Sequence, residues 1–372
     1  MVNLRQLVLC GKNVLSVALP HNIIPISFEI FVLFVNSLAM YSNISGAASS
    51  TEEEKEILQC FEKLGSLENE GNSSGSLEIF TKHTGKLLEK LAVGHNMWNK
   101  HSPQRLVFEA LLYHCGPVLG KHLGVAINLL IENLQPEKDA EMRLSLFNLL
   151  SKLSTRANET LNSNGEFSLH ALNIVKSGII PNCIWKPGRT AEGIRLSAVS
   201  CLWAIMVQSD LLSTEHLDIL KEHILTQLMS LLTDDLRNTR LVTIRVLKVL
   251  FVKIGTKFGQ EKLHSLYVDL LKRFDDINDD IRLALADAFK AYICCFDEPY
   301  DTCLYAAHIE FIFDTLLIHL DDPNEKIQQA ICEVLISCSR LNPVLLAKRI
   351  EQVRPKHRHA KYLDEIAQFL KR

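Results

Sequence analysis

Fourteen histidines and ten cysteines are the side chains in this chain best able to bind a metal or attack a substrate, and their spacing decides against both. No two cysteines form a C-x-x-C arrangement, and no Cys/His set has the spacing of a zinc site. Thiols scattered through helical stretches behave as small hydrophobes, which points to a reducing compartment, cytosol or nucleus. The histidines are dispersed: His21, His95 and His101 are expected in loops, and His216, His223 and His264 on helices among charged residues. Asp275-Asp276 followed by Asp279-Asp280 could approach a divalent cation, but the glycine and terminal glutamate of a calcium loop are missing. A solvated turn that caps a helix is the expected reading. No phosphate-binding G-x-x-x-x-G-K-[ST] loop, no G-x-G-x-x-G after a strand, no H-E-x-x-H and no nucleophile elbow occurs. The basic run Lys348, Arg349, Arg354, Lys356, His357, Arg358, His359 and Lys361 could meet an acidic protein segment or nucleic acid, and a solvated end is expected. A net charge of -3 argues against a general nucleic-acid binder. N-x-[ST] sites at Asn43, Asn72 and Asn158 matter only in a secreted chain. The expectation is a protein with no catalytic residues, no cofactor and no metal.

What does recur is arginine. Arg105-Leu106, Arg143-Leu144, Arg195-Leu196, Arg240-Leu241 and Arg282-Leu283 each open an apolar helical stretch, at steps of 38, 52, 45 and 42 residues. Six residues before three of them stands an acid: Glu137, Asp234 and Asp276 precede Arg143, Arg240 and Arg282. A further unit keeps Asp322 and has Gln328 in the arginine's place. Such a period, with helices on either side of an acidic turn, predicts an all-α chain built as an α-solenoid of antiparallel helix pairs.

The elements follow from the 3.6-residue apolar period. Leu217, Leu220, Ile224, Leu228 and Leu231 make one helical face; Asp234-Asp235 turn the chain; Leu241, Ile244, Leu247, Phe251 and Ile254 make the next. The two following pairs repeat this around Asp275-Asp276 and Asp321-Asp322-Pro323. Pairs are expected at 76–115, 118–154, 166–208, 215–255, 260–296 and 303–340, with a cap at 342–372 that covers the last apolar face. Pro181 to Gly188 reads as a long turn and accounts for the 52-residue step. An apolar content of 47% suffices for a continuous core, and the low aromatic share of 7% suits helix-on-helix packing. Residues 1–50 stand apart from 51–372. The run from Val14 to Tyr41 is apolar, but Pro20, His21, Pro25 and Glu29 interrupt it, so no membrane span is expected. A buried partial repeat is one alternative for this segment, and sequence foreign to the fold is another. Ser42 to Ser50 reads as a linker, Thr51 with Glu54 as a capping box, and Asn69 to Gly75 as a loop.

Paired helices with an acid in the turn and an apolar-Arg step six residues on (Met142-Arg143, Ile194-Arg195, Ile281-Arg282) resemble HEAT repeats. The resemblance implies that acid and arginine pair along the array in a buried ladder that fixes how neighbours stack. Its members here would be Glu137, Arg143, Arg195, Asp234, Arg240, Asp276, Arg282 and Asp322. Arg195 has Arg189 and Arg105 has Asn99 where the acid would stand, so the ladder is expected to break at those two. Further stretches narrow the likeness. Tyr300-Asp301-Thr302, His308-Ile309-Glu310-Phe311, Leu317-Ile318-His319-Leu320-Asp321-Asp322-Pro323, Lys356-His357-Arg358 and Arg237-Asn238-Thr239-Arg240 resemble the C-terminal region of the HEAT-repeat axonemal dynein assembly factors. That likeness runs over about residues 76 to 372, leaves out the first fifty, and makes this a shortened form. It implies a cytoplasmic, non-enzymatic scaffold whose partners are axonemal dynein chains, other assembly factors or chaperones. A HEAT-repeat scaffold of another system, nuclear transport or phosphatase assembly, is the alternative.

Overall fold

A computed structural model describes residues 2–45, 52–68 and 75–371, and all regular secondary structure among them is helical. The chain divides into two units, Met1–Asn182 and Cys183–Arg372. The first holds α1 (Val2–Val17), α2 (Pro20–Ile23), α3 (Ser27–Ser45), α4 (Glu52–Glu68), α5 (Ser76–Ala92), α6 (Pro103–His114), α7 (Leu123–Asn133), α8 (Ala140–Thr155) and α9 (Ser168–Asn173). The second holds α10 (Arg189–Val207), α11 (Thr214–Leu231), α12 (Arg237–Ile254), α13 (Gln260–His264), α14 (Tyr267–Leu271), α15 (Asp279–Ile293), α16 (Ala306–His319), α17 (Glu325–Cys338), α18 (Pro343–Val353) and α19 (Lys361–Phe369).

Caps set several of these starts. Asp139 accepts from the Met142 amide at 2.8 Å ahead of α8, and Ser213 from His216 at 3.2 Å ahead of α11. Asn342 accepts from Leu345 at 3.0 Å, with Pro343 preset for the first turn of α18. In the second unit α10, α12, α15, α17 and α19 lie side by side as one layer, while α14, α16 and α18 form part of the other. The apolar faces read from the sequence close between the layers: Leu217, Leu220, Ile244, Leu247, Ile281, Leu285, Ile312 and Ile331 are all fully buried. Each such side chain contributes roughly 1.5–3 kcal/mol over remaining exposed. Gly255 is needed for close approach, because a Cβ there would lie 2.0 Å from the Cys295 sulfur.

The described part of the N-terminal apolar run packs into the first unit. Phe31, Phe34, Val35 and Leu38 of α3 are buried, and Phe31 meets Phe61 of α4 and Phe80 of α5 edge-on at 5.6 and 5.2 Å. The apolar run therefore forms core within the first unit. Pro20–Tyr41 and Arg189–Val207 are long and apolar enough to span a membrane, and half of each is buried in the protein. The expected linker begins too early: α3 continues to Ser45, and residues 46–50 lie outside the described residues, as do Thr51 of the capping box and 69–74 of the loop. The first helix of the pair expected at 260–296 is broken into α13, α14 and a tighter 3-10 turn at Lys272–Asp275.

Candidate functional site

Each acidic turn of the second unit does two jobs with one carboxylate. One oxygen holds the turn by accepting a backbone amide two residues on: Asp234 from Leu236 at 2.9 Å, Asp276 from Asn278 at 3.1 Å, Asp322 from Asn324 at 2.8 Å. The carboxylate also takes the arginine of the preceding helix pair. Arg195 Nε donates to Asp234 Oδ2 at 2.6 Å, Arg240 Nε to Asp276 Oδ2 at 2.8 Å, and Arg282 Nη1 to Asp322 Oδ2 at 2.5 Å. Arginine and aspartate are thus joined across 36 to 40 residues. The arginine six residues after an acid is not that acid's ionic partner. Arg240 and Arg143 turn back on the backbone instead, Arg240 Nη1 to the Asp234 carbonyl at 2.9 Å and Arg143 Nε to the Lys138 carbonyl at 3.1 Å. Gln328 keeps only this local bond, to the Asp322 carbonyl at 2.6 Å. Burial alone would raise the Asp276 carboxyl, but the Arg240 guanidinium and Asn278 hold it below the usual carboxylate range.

Two expectations change with this geometry. Arg195, lacking an acid six residues before it, has the most buried pair of the series, with side chains 2% and 1% exposed. Glu137 is exposed and makes no bond to Arg143, on which its charge acts only through space. Arg143 instead donates to the Lys138 carbonyl at 3.1 Å and to Asn182 Oδ1 at 2.7 Å. Arg105 is likewise served within its own unit, by Glu109 at 2.7 Å, Ser145 at 3.2 Å and the Lys100 carbonyl at 2.7 Å.

Asn182 shows why an amide stands where an aspartate would complete an ion pair. Its oxygen accepts from Arg143, while its nitrogen donates to the carbonyls of Leu134 and Gly178, both at 2.8 Å. One donor and two acceptors converge here, and only an amide satisfies all three. Asn182→Asp is expected to destabilise the first unit by roughly 2 kcal/mol, because a buried carboxylate would face two carbonyl oxygens. Urea unfolding followed by helical circular dichroism checks this. A variant more resistant to urea than the parent would show that pairing with Arg143 outweighs the two lost bonds.

Several groups with catalytic chemistry are held in other ways. Ser27, His83 and Glu68 come together in the first unit, with Ser27 Oγ 3.1 Å and Glu68 Oε1 3.3 Å from His83. Both contacts fall on the same ring nitrogen, Nε2, so the carboxylate cannot orient the ring as a base toward the hydroxyl. The sequence offered no sign of this cluster, whose serine and histidine lie 56 residues apart. Burial pushes the Cys115 and Cys183 thiols up to about 12, far from a reactive thiolate. It pushes the His114 ring down to about 4. Among the described residues no three His, Cys, Asp or Glu side chains are grouped to hold a metal. Within the Asp275–Asp280 turn, Asp276 takes Arg240, Asp279 takes Arg282 and Asp280 takes Arg237. Half of the basic run near the C-terminus is paired as well: Arg349 with Glu310, Arg354 with Asp364, Arg358 with Asp321 and Lys361 with Glu325.

No family model matches the sequence. The chain is 37% identical to human dynein axonemal assembly factor 5 over 297 residues, which are 80% of this chain and 35% of that protein. It is 33% identical to the mouse protein of that name over 367 residues, 99% of this chain and 42% of that one. To the Xenopus laevis protein it is 33% identical over 80% of this chain and 36% of that one. The mouse match takes in most of the first fifty residues, which corrects the expectation that they fall outside the likeness. The chain thus spans 35 to 42% of the length of these relatives. Among solved structures, Kap121p bound to Pho4p matches with a TM-score of 0.51 at 11% identity, over 94% of this chain and 35% of that one, a likeness of fold alone. With a helical solenoid of the armadillo/HEAT kind and identity extending along most of its length, the chain is homologous to dynein axonemal assembly factor 5.

Proposed function

We propose that the chain is a non-enzymatic scaffold that acts in the cytoplasm during pre-assembly of axonemal dynein arms, holding dynein chains, chaperones or other assembly factors. The observation that carries this reading is the sequence identity with proteins named for that assembly, which extends over most of the chain. Stacked helix pairs support it, since they offer extended surfaces to protein partners. The arginines and aspartates of the turns serve in this reading as the internal frame that sets the stacking register, through desolvated pairs rather than through added stability. A transport or phosphatase scaffold would rest on fold alone. The exposed charges of α12, α15 and α17 largely neutralise one another, with Lys248 3.3 Å from Asp287 and Lys290 2.8 Å from Glu333. They leave no acidic track for a basic cargo.

Depletion of the protein from multiciliated cells is expected to remove outer and inner dynein arms while the ciliary microtubules stay intact, as read by electron microscopy. Normal arms after depletion would reject the assembly role and leave a scaffold of another system.

A further inference from the structure

His264 was expected on a helix among charged residues, but it is buried in an aromatic cluster where two helix pairs of the second unit meet. It stacks on Tyr305 with ring centroids 4.0 Å apart and planes 19° from parallel. Phe296 and His308 lie 4.9 and 4.8 Å away. Both ring nitrogens are engaged. Nδ1 is 2.6 Å from the Gln260 carbonyl, which can only accept, so Nδ1 carries the proton. Nε2, 2.6 Å from the Tyr300 hydroxyl, therefore accepts from it. His308 in turn bonds the Tyr267 hydroxyl through Nδ1 at 3.1 Å. Tyr300 and Tyr305 belong to the stretch between Phe296 and α16, so one neutral imidazole ties that stretch to α13.

We propose that this cluster is a proton-sensitive clasp: a second proton on His264 releases residues 297–305 from α13 and loosens the joint between the α13–α15 and α16–α17 pairs. The geometry carries the inference. A proton on Nε2 turns the acceptor of the Tyr300 bond into a donor aimed at a hydroxyl that already donates, so that bond must be rebuilt. It also places a cation in an aromatic pocket beside a second histidine. No carboxylate is offered to that cation. Facing it are Tyr300 and Tyr305 from the loop, His308 from α16 and, beyond His308, Tyr267 from α14. The nearby acid, Asp301, accepts the amides of Cys303 and Leu304 at 3.0 and 2.9 Å and is turned onto its own loop. Burial first, and His308 as well, hold the His264 ring below its ordinary value, though the Gln260 bond opposes them. Because the clasped form favours the neutral ring, the clasp is fully held above about pH 6.5 and is lost as the pH falls below it. The equivalent joint one pair earlier is tied by lysines instead, with Lys257 3.4 Å from Asp218 and Lys262 3.0 Å from Glu222.

Hydrogen exchange by mass spectrometry on the full chain tests the clasp, with rates corrected for the intrinsic effect of pH. On going from about pH 7.5 to about 5.5, protection in 297–308 should fall severalfold, up to the roughly tenfold that one histidine can supply, and by more than in 214–232. His264→Gln can still accept from Tyr300 but cannot titrate, and its protection there should not depend on pH. Protection unchanged in the parent, or a loss that persists in His264→Gln, overturns the proposal. If that variant does not fold, the ring is titrated directly by NMR in the parent. A midpoint below that of the exposed His359, with the proton on Nδ1 at neutral pH, supports the clasp, and a midpoint at or above it overturns the clasp.

Discussion

Asp234→Asn is expected to destabilise the second unit by about 3–5 kcal/mol, the usual loss when one partner of a buried ion pair is removed. The substitution keeps the shape and an oxygen able to hold the Leu236 amide. It places an amide nitrogen or a neutral oxygen against Arg195, whose side chain is 2% exposed and has no second carboxylate. The loss comes from a buried guanidinium without its counter-ion. Two controls separate this from a general effect of neutralising an acid. Asp280→Asn breaks the ion pair with Arg237, whose side chains are 39% and 50% exposed, and should cost less than about 1 kcal/mol. The double replacement Arg195→Met with Asp234→Leu should recover part of the loss, because it removes the unpaired charge but leaves the Leu236 amide and the Lys186 carbonyl without their bonds. Unfolding of stacked repeats is not reliably two-state, so local hydrogen exchange in residues 189–254 is the better readout than a single midpoint. Equal effects of Asp234→Asn and Asp280→Asn would show that burial of the pair does not matter.

The Arg–Asp pairing also marks where sequence reading stops. Period, helix faces and acidic turns were legible because each is a local pattern repeated at nearly constant spacing. The partner of each aspartate was not. An arginine stands six residues after Asp234 and another 39 residues before it, and both distances recur along the chain. Only the path of the backbone decides that the carboxylate meets the earlier one. Reading the nearer acid as the partner made Arg195 look deprived and Glu137 look engaged, the reverse of the observed geometry.

The remaining differences come from contacts between residues far apart. The apolar N-terminal run lacks the acidic turn and the arginine, so the repeat pattern passes over it. Its place in the first unit depends on Phe61 and Phe80, which Phe31 meets from 30 and 49 positions away in sequence. His264 sits among charged neighbours in sequence, Glu261 and Lys262, yet its environment is supplied by Phe296, Tyr300, Tyr305 and His308. Neither residue type nor local spacing carries that information.

Ile281→Asp is expected to destabilise the second unit by about 3 to 5 kcal/mol, and its reach along the chain is the stronger test. Ile281 is fully buried in the first turn of α15, beside Arg282 of the turn frame. Asp279 and Asp280, which precede it, are already engaged with Arg282 and Arg237, so a new carboxylate finds no free cation there. The substituted side chain must either stay buried as an unpaired charge or pull the start of α15 outward. Since α15 packs directly on α12 and α17, those helices lose part of their shared surface. In a stack coupled through nearest neighbours the damage fades with distance. Exchange protection should fall most in residues 260–340 and least in α10, which packs on α12 rather than on α15. A uniform loss from Arg189 to Phe369 would mean that the unit unfolds as one body and that nearest-neighbour coupling is the wrong description.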